Sequence, residues 1–223
     1  MTRTELLAAC ARGELFNTEM VRAILDDRKN RTMRLVKGKR DADHGGGPSR
    51  TWMFSNIKQL APDMWFGIDH LSSGPFVNDP VSPKHKVGDI IYVRETWCFL
   101  DGNDLREAGV PPCYAYSSYQ YKADNDGTES CPVFEGWRPS IHMPKSAARI
   151  FLRITGVRGQ RPHELTESEA GQEGFHHDVA KFTNKDRFRD YWDSLCAKKD
   201  LPLYGYDANP WCWVYEFERV VPE

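Results

Sequence analysis

Four cations surround one hydroxyl in the stretch Asp26-Asp27-Arg28-Lys29-Asn30-Arg31-Thr32-Met33-Arg34. A threonine hydroxyl is a poor nucleophile until a base removes its proton. Lys29, three residues before Thr32, is such a base only if burial or neighbouring cations lower its pKa. Arg28, Arg31 and Arg34 supply the cations. The same residues also suit a solvated basic turn at a helix C-terminus, where positive charge complements the dipole. On spacing alone that turn is the better account, because short motifs arise often by chance.

Other chemistry has weaker carriers. His176-His177 are adjacent, and neighbouring residues of an extended strand point to opposite sides, so the pair chelates one metal poorly. His142 and His163 stand alone. There is no P-loop, no GxGxxG, no GxSxG elbow and no CxxC pair, so neither a cofactor nor a metal is expected. Aromatic side chains mostly signal core packing, yet unpaired bases stack on aromatic or guanidinium planes. Trp97 and Trp211 lie at strand ends, where a pocket would open. Arg94 and Glu95 are consecutive in one strand, so one of them faces inward, and a buried charge needs a partner.

The chain has 223 residues, a formal net charge of −2 and six cysteines. Any nucleic-acid site must therefore be a local patch rather than a bulk field. No apolar run is long enough to span a bilayer, and scattered cysteines fit reduced thiols in a cytosolic protein. The expected elements are helices over 4–11 (Thr4 as N-cap) and 18–25, then a strand from Thr32. Aromatic segments at 51–55 and 64–68 suggest a hairpin, and 75–86 a connector. Further strands are expected over 90–97, 114–121, 149–157 and 211–219, with helices from near Thr166 to Gln172 and over 184–198. Strands outnumber helices, which points to a compact α+β or barrel-like sheet with helices at its ends.

Taken together, these segments resemble the ASCH domain family of the PUA-like superfamily, and most closely its larger phage and prophage members. The likeness rests on Ile24 to Arg34, on Val87 to Trp97 (Val-Gly-Asp, then Tyr-Val-Arg-Glu-Thr-Trp), on Pro139 to Val157, and on Asn209 to Val220 (Trp-Cys-Trp-Val-Tyr-Glu-Phe). It implies one domain over 1–223, a small β-barrel flanked by helices, with long insertions at about 38–86 and 98–138.

One branch of this family, the bacterial N4-acetylcytidine amidohydrolases, carries a Lys-x-x-Thr pair and a later glutamate. By that resemblance the catalytic residues are Lys29, Thr32 and Glu173, with Leu165-Thr166-Glu167 and Ala170 to Glu173 matching the region of the glutamate. Arg28, Arg31 and Arg34, with Arg94 and Glu95, are then candidate substrate contacts. Trp97, His142 and Trp211 join them. The implied partner is a modified nucleoside or single-stranded RNA or DNA, in a bacterial or phage-infected cytosol. A non-catalytic RNA- or DNA-binding module and a ribonuclease of the same fold remain the alternatives. Asp27 stands where many members have glycine, and aspartate tolerates a positive φ better than most residues.

Overall fold

The computed structural model describes residues 1–10, 12–36, 56–61, 64–69, 77–107, 118–125, 136–175 and 182–223. The fold is mixed α+β. In chain order the elements are α1 (Arg3–Ala9), β1 (Gly13–Leu15), α2 (Thr18–Leu25), β2 (Arg31–Leu35), β3 (Asn56–Ala61), β4 (Met64–Asp69), β5 (Val77–Val81), β6 (Ile90–Arg94), β7 (Trp97–Leu100), α3 (Gly102–Glu107), β8 (Ser118–Tyr121), β9 (Phe151–Gln160), α4 (Glu167–Gln172), α5 (Asn184–Ser194), α6 (Leu201–Tyr204) and β10 (Cys212–Val220). The main sheet has the order β1-β6-β9-β10-β2, beside a three-stranded sheet β3-β4-β5 and a ribbon β7-β8. Among the described residues β1 and β2 end the main sheet, so the expected closed barrel is not formed there.

The chain divides into two compact units, each assembled from separated segments. The first comprises Met1–Lys29, Asp89–Arg153 and Glu218–Glu223. Its core joins Leu6 and Cys10 of the N-terminal segment to Trp97, Met143, Ala147, Ala148 and Phe151. β1 runs parallel to β6, and β6 pairs antiparallel with the start of β9. Thr2, not Thr4, caps α1, in a reciprocal box with Glu5. Asn17 caps α2, whose Met20, Val21, Ala23 and Ile24 are buried. Gly13 has no room for a Cβ, which would meet the Tyr92 ring at 2.6 Å.

The second unit comprises Asn30–Gly88 and Ile154–Phe217. β2 pairs antiparallel with β10, in a register that sets Thr32 opposite Tyr215 and Arg31 opposite Glu216. Of the expected hairpin, residues 51–55 lie outside the described residues, and the 64–68 segment is β4, which pairs antiparallel with β3. The 75–86 connector contributes β5, whose Pro80 is tolerated because β5 is an edge strand. Thr166 and Thr183 cap α4 and α5, each in a capping box. Phe175 and Phe188 meet edge to face at 5.8 Å between α4 and α5.

Two expectations need correction. The run 90–97 is not one strand but two, β6 and β7, broken at Glu95-Thr96. Nor are all thiols reduced: Cys98 is disulfide-bonded, while Cys10, Cys196 and Cys212 are free. No helix among the described residues is long and apolar enough to cross a membrane.

Candidate functional site

The opening stretch runs across the point in the sequence where one unit's segment ends, at Lys29, and the other's begins, at Asn30. On the side of the first unit, α2 ends in a left-handed cap. Asp27 has φ +55°, and the amides of Arg28 and Lys29 both donate to the Ala23 carbonyl, at 2.8 and 2.9 Å. A residue in the left-handed region after the last helical turn reverses the chain, and here it turns Lys29 inward. Lys29 is 4 % exposed, with Nζ 5.9 Å from the centre of the Phe16 ring. Arg28 goes the other way, to an exposed 2.8 Å ion pair with Asp26.

On the side of the second unit, Asn30 ties two distant segments together. Its amide donates to the Gln172 carbonyl at 3.0 Å, and its carbonyl accepts from the Phe217 amide at 2.8 Å. Gln172 is the last residue of α4 and Glu173 is that helix's C-cap. Gly174 follows with φ +99°, and the Phe175 amide returns to the Ala170 carbonyl. A glycine in this conformation is a common helix stop. It leaves Glu173 inward-facing and only 4 % exposed, beside Arg31 at 2 % and Thr32 at 3 %.

Their partners follow strand alternation. Successive residues of β2 face opposite sides of the sheet. Arg31 takes the side of Gln160 and α4: its Nη2 donates to Gln160 Oε1 at 2.9 Å. Its Nη1 is 2.7 Å from Glu169, and its Nε is 3.9 Å from Glu173. Thr32 takes the other side, where its Oγ1 accepts from Arg34 Nη1 at 2.8 Å. Tyr215, opposite Thr32, is buried. It accepts the Lys84 amide at 2.8 Å and packs edge-on against the buried His85 at 5.4 Å.

Titration follows from these contacts. Burial would raise the Glu169 carboxyl, but hydrogen bonds from the Thr166 backbone and from Arg31 hold it down at about 2. Burial, with Glu173 adding to it, pushes the Cys212 thiol well above its ordinary value. Burial likewise raises Tyr191, against the Arg34 charge and with the Glu173 charge.

The remaining candidates fall elsewhere. Glu95 is the inward member of its pair, 1 % exposed, and its two oxygens accept from Arg149 Nε and Nη2 at 2.9 Å each. Arg149 also pairs with Asp124 at 2.6 Å and covers the Tyr121 ring at 3.9 Å. Burial raises the Glu95 carboxyl despite Arg149. Arg94 donates to the Ile141 carbonyl. Trp97 belongs to the core of the first unit. His142 is exposed on a short 3-10 turn. Trp211, in the second unit, is half-buried and lies 4.9 Å from the Arg161 guanidinium.

His176 and His177 lie outside the described residues. Among the described residues no group of three His, Cys, Asp or Glu side chains could hold a metal ion. No family model, no curated protein and no solved structure matches the chain.

Sequence reasoning missed Gln160, Glu169 and Arg158. Thr166-x-x-Glu169 is a capping-box signature, and Glu169 and Glu173 at i,i+4 share one face of a helix. Those two facts together mark Glu169 as a neighbour of whatever binds Glu173. Nothing local in the sequence announces Gln160, which arrives at the far end of β9.

Proposed function

We propose that this protein binds a modified nucleoside, or that nucleoside within single-stranded nucleic acid, and hydrolyses an acyl amide on the base. The reaction is of the N4-acetylcytidine type and the fold is of the ASCH, PUA-like kind. Lys29 takes the proton of Thr32, and the Thr32 oxygen attacks the acyl carbon. The C–N bond then breaks as a proton passes to the departing amine, assisted by Glu173. Water hydrolyses the resulting ester, releasing the acid and regenerating Thr32. The implied setting is a bacterial or phage-infected cytosol, although a reducing compartment does not favour the Cys98 disulfide.

One observation carries the proposal. The Asn30–Gln172 backbone bond joins the Lys-x-x-Thr turn to the helix end that bears Glu173, and Lys29, Thr32 and Glu173 are all buried. Burying ionisable side chains is costly unless they are paired. The covalent chain also limits the Lys29–Thr32 Cα separation to about 11 Å, being three peptide units.

The test is turnover of N4-acetylcytidine by the whole protein. Lys29→Ala, Thr32→Ala and Glu173→Ala are each expected to lower kcat/KM by about 100-fold or more. Wild-type rates in all three would refute the assignment. A second reading, a binding module without chemistry, has its own observation in its favour: Thr32 already accepts from Arg34 and Glu173 lies beside Arg31. No turnover, with salt-sensitive oligonucleotide binding, would select it.

A further inference from the structure

Arg31 is among the most deeply buried side chains of the chain. A guanidinium at that depth is tolerated only with partners on every side, and its partners are unevenly placed. Glu169 and Glu173 stand one turn apart on α4, so about 6 Å separates them along the helix axis. One guanidinium reaches both as ion pairs without hydrogen-bond geometry: Nη1 is 2.7 Å from Glu169 and Nε 3.9 Å from Glu173. Its third corner, Nη2, donates to Gln160. Arg158 reinforces the far side of this arrangement, donating to Glu169 at 2.7 Å and pairing with Glu216. Gln160 in turn donates to Glu169 at 3.3 Å. Glu169 is therefore the structural anchor, held by two arginines and by its own capping box. The planar fork of Arg31 is fixed by that anchor and presents its Nε edge to Glu173.

We infer that Arg31 is a positioning residue for Glu173, setting that carboxylate against the start of β2. The inference rests on the proposed role of Glu173 and adds to it a residue that sequence resemblance treated only as a substrate contact. Arg31 acts through Glu173. It fixes where the carboxylate sits. Gln160 and Glu169 serve Arg31 in the same sense. Cys212 on β10 and Tyr191 on α5 also lie within electrostatic reach of Glu173.

The test separates this inference from the reading beneath it. In the full chain, with Glu side-chain carboxyls labelled with carbon-13, the Glu173 resonance is identified by its loss in Glu173→Gln. In Arg31→Met that resonance is expected to shift and broaden, because the carboxylate is no longer held in one place by the planar fork. Arg31→Lys keeps the charge but cannot span both carboxylates, and an intermediate change is expected. It also serves as the informative variant if Arg31→Met does not fold.

With N4-acetylcytidine as substrate, Arg31→Met is expected to lower kcat about 10- to 100-fold with KM within about twofold. Arg31→Lys should recover part of kcat. An unchanged Glu173 resonance and unchanged kcat in both variants would overturn the inference. So would a raised KM at constant kcat, which would make Arg31 a substrate contact. If the wild type shows no turnover, the amidohydrolase reading fails, and the Glu173 resonance alone decides whether Arg31 positions Glu173.

Discussion

Asp27 shows how one backbone angle can expose or bury a charge. Its φ of +55° costs an L-residue roughly 1 kcal/mol, less for Asp than for most, and without that turn Lys29 would continue outward with Arg28. Asp27→Gly is expected to raise stability by about 0.5 kcal/mol, because glycine accepts this region readily, with little lost from the exposed Arg219 pair at 3.3 Å. Asp27→Val is expected to lower it by about 1–2 kcal/mol, since a β-branched residue resists φ > 0. Urea midpoints at constant slope measure both. The positive φ at Asp27 was legible only through the resemblance, which sets it where glycine is common. The direction of Lys29 was not, because it depends on two amides sharing the Ala23 carbonyl. Cys212 makes a second case: its thiol is fully buried and its pKa raised. Brief alkylation of the native protein at pH 8, read by mass spectrometry, is expected to modify the half-buried Cys196 and leave Cys212 intact until the chain unfolds.

At the scale of elements, α4 does more than its six residues suggest. Glu169 caps its start and grips Arg31, while Glu173 ends it. The Glu169 carboxyl sits at about 2, against an ordinary 4.5. A carboxyl depressed on folding adds stability above its unfolded value, and that stability is lost as pH falls through the folded one. Stability is therefore expected to decline between about pH 4.5 and 2, and Glu169→Gln to flatten that part of the profile while lowering stability at pH 7. Denaturant unfolding across the range reads both effects. Short capped helices such as this one are visible in sequence, as the Thr166 start was. Strand ends are less so: Glu95-Thr96 breaks a continuous apolar run because the Glu95 carboxylate turns inward to Arg149, a contact 54 residues away in the chain.

At the scale of the molecule, the α+β class followed from the alternation of periodicities, and most elements lie within a few residues of their expected ends. The two units did not follow, since nothing in local sequence says that residues 218–223 belong with residues 1–29. The candidate site shares this property. Its lysine and threonine are a local motif, whereas Glu173, Glu169 and Gln160 reach Arg31 only through tertiary pairing.

The segment arrangement has a consequence for synthesis. The first unit needs residues 1–29, 89–153 and 218–223, and the whole of 154–217 is made before its last segment. A nascent chain therefore cannot complete its first unit and then begin its second, as domains ordered along a chain do. The early segments must wait with Leu6 and Cys10 unsheltered by Phe151 until translation has passed that residue. The second unit, begun later, is synthesised to its end before the first can close.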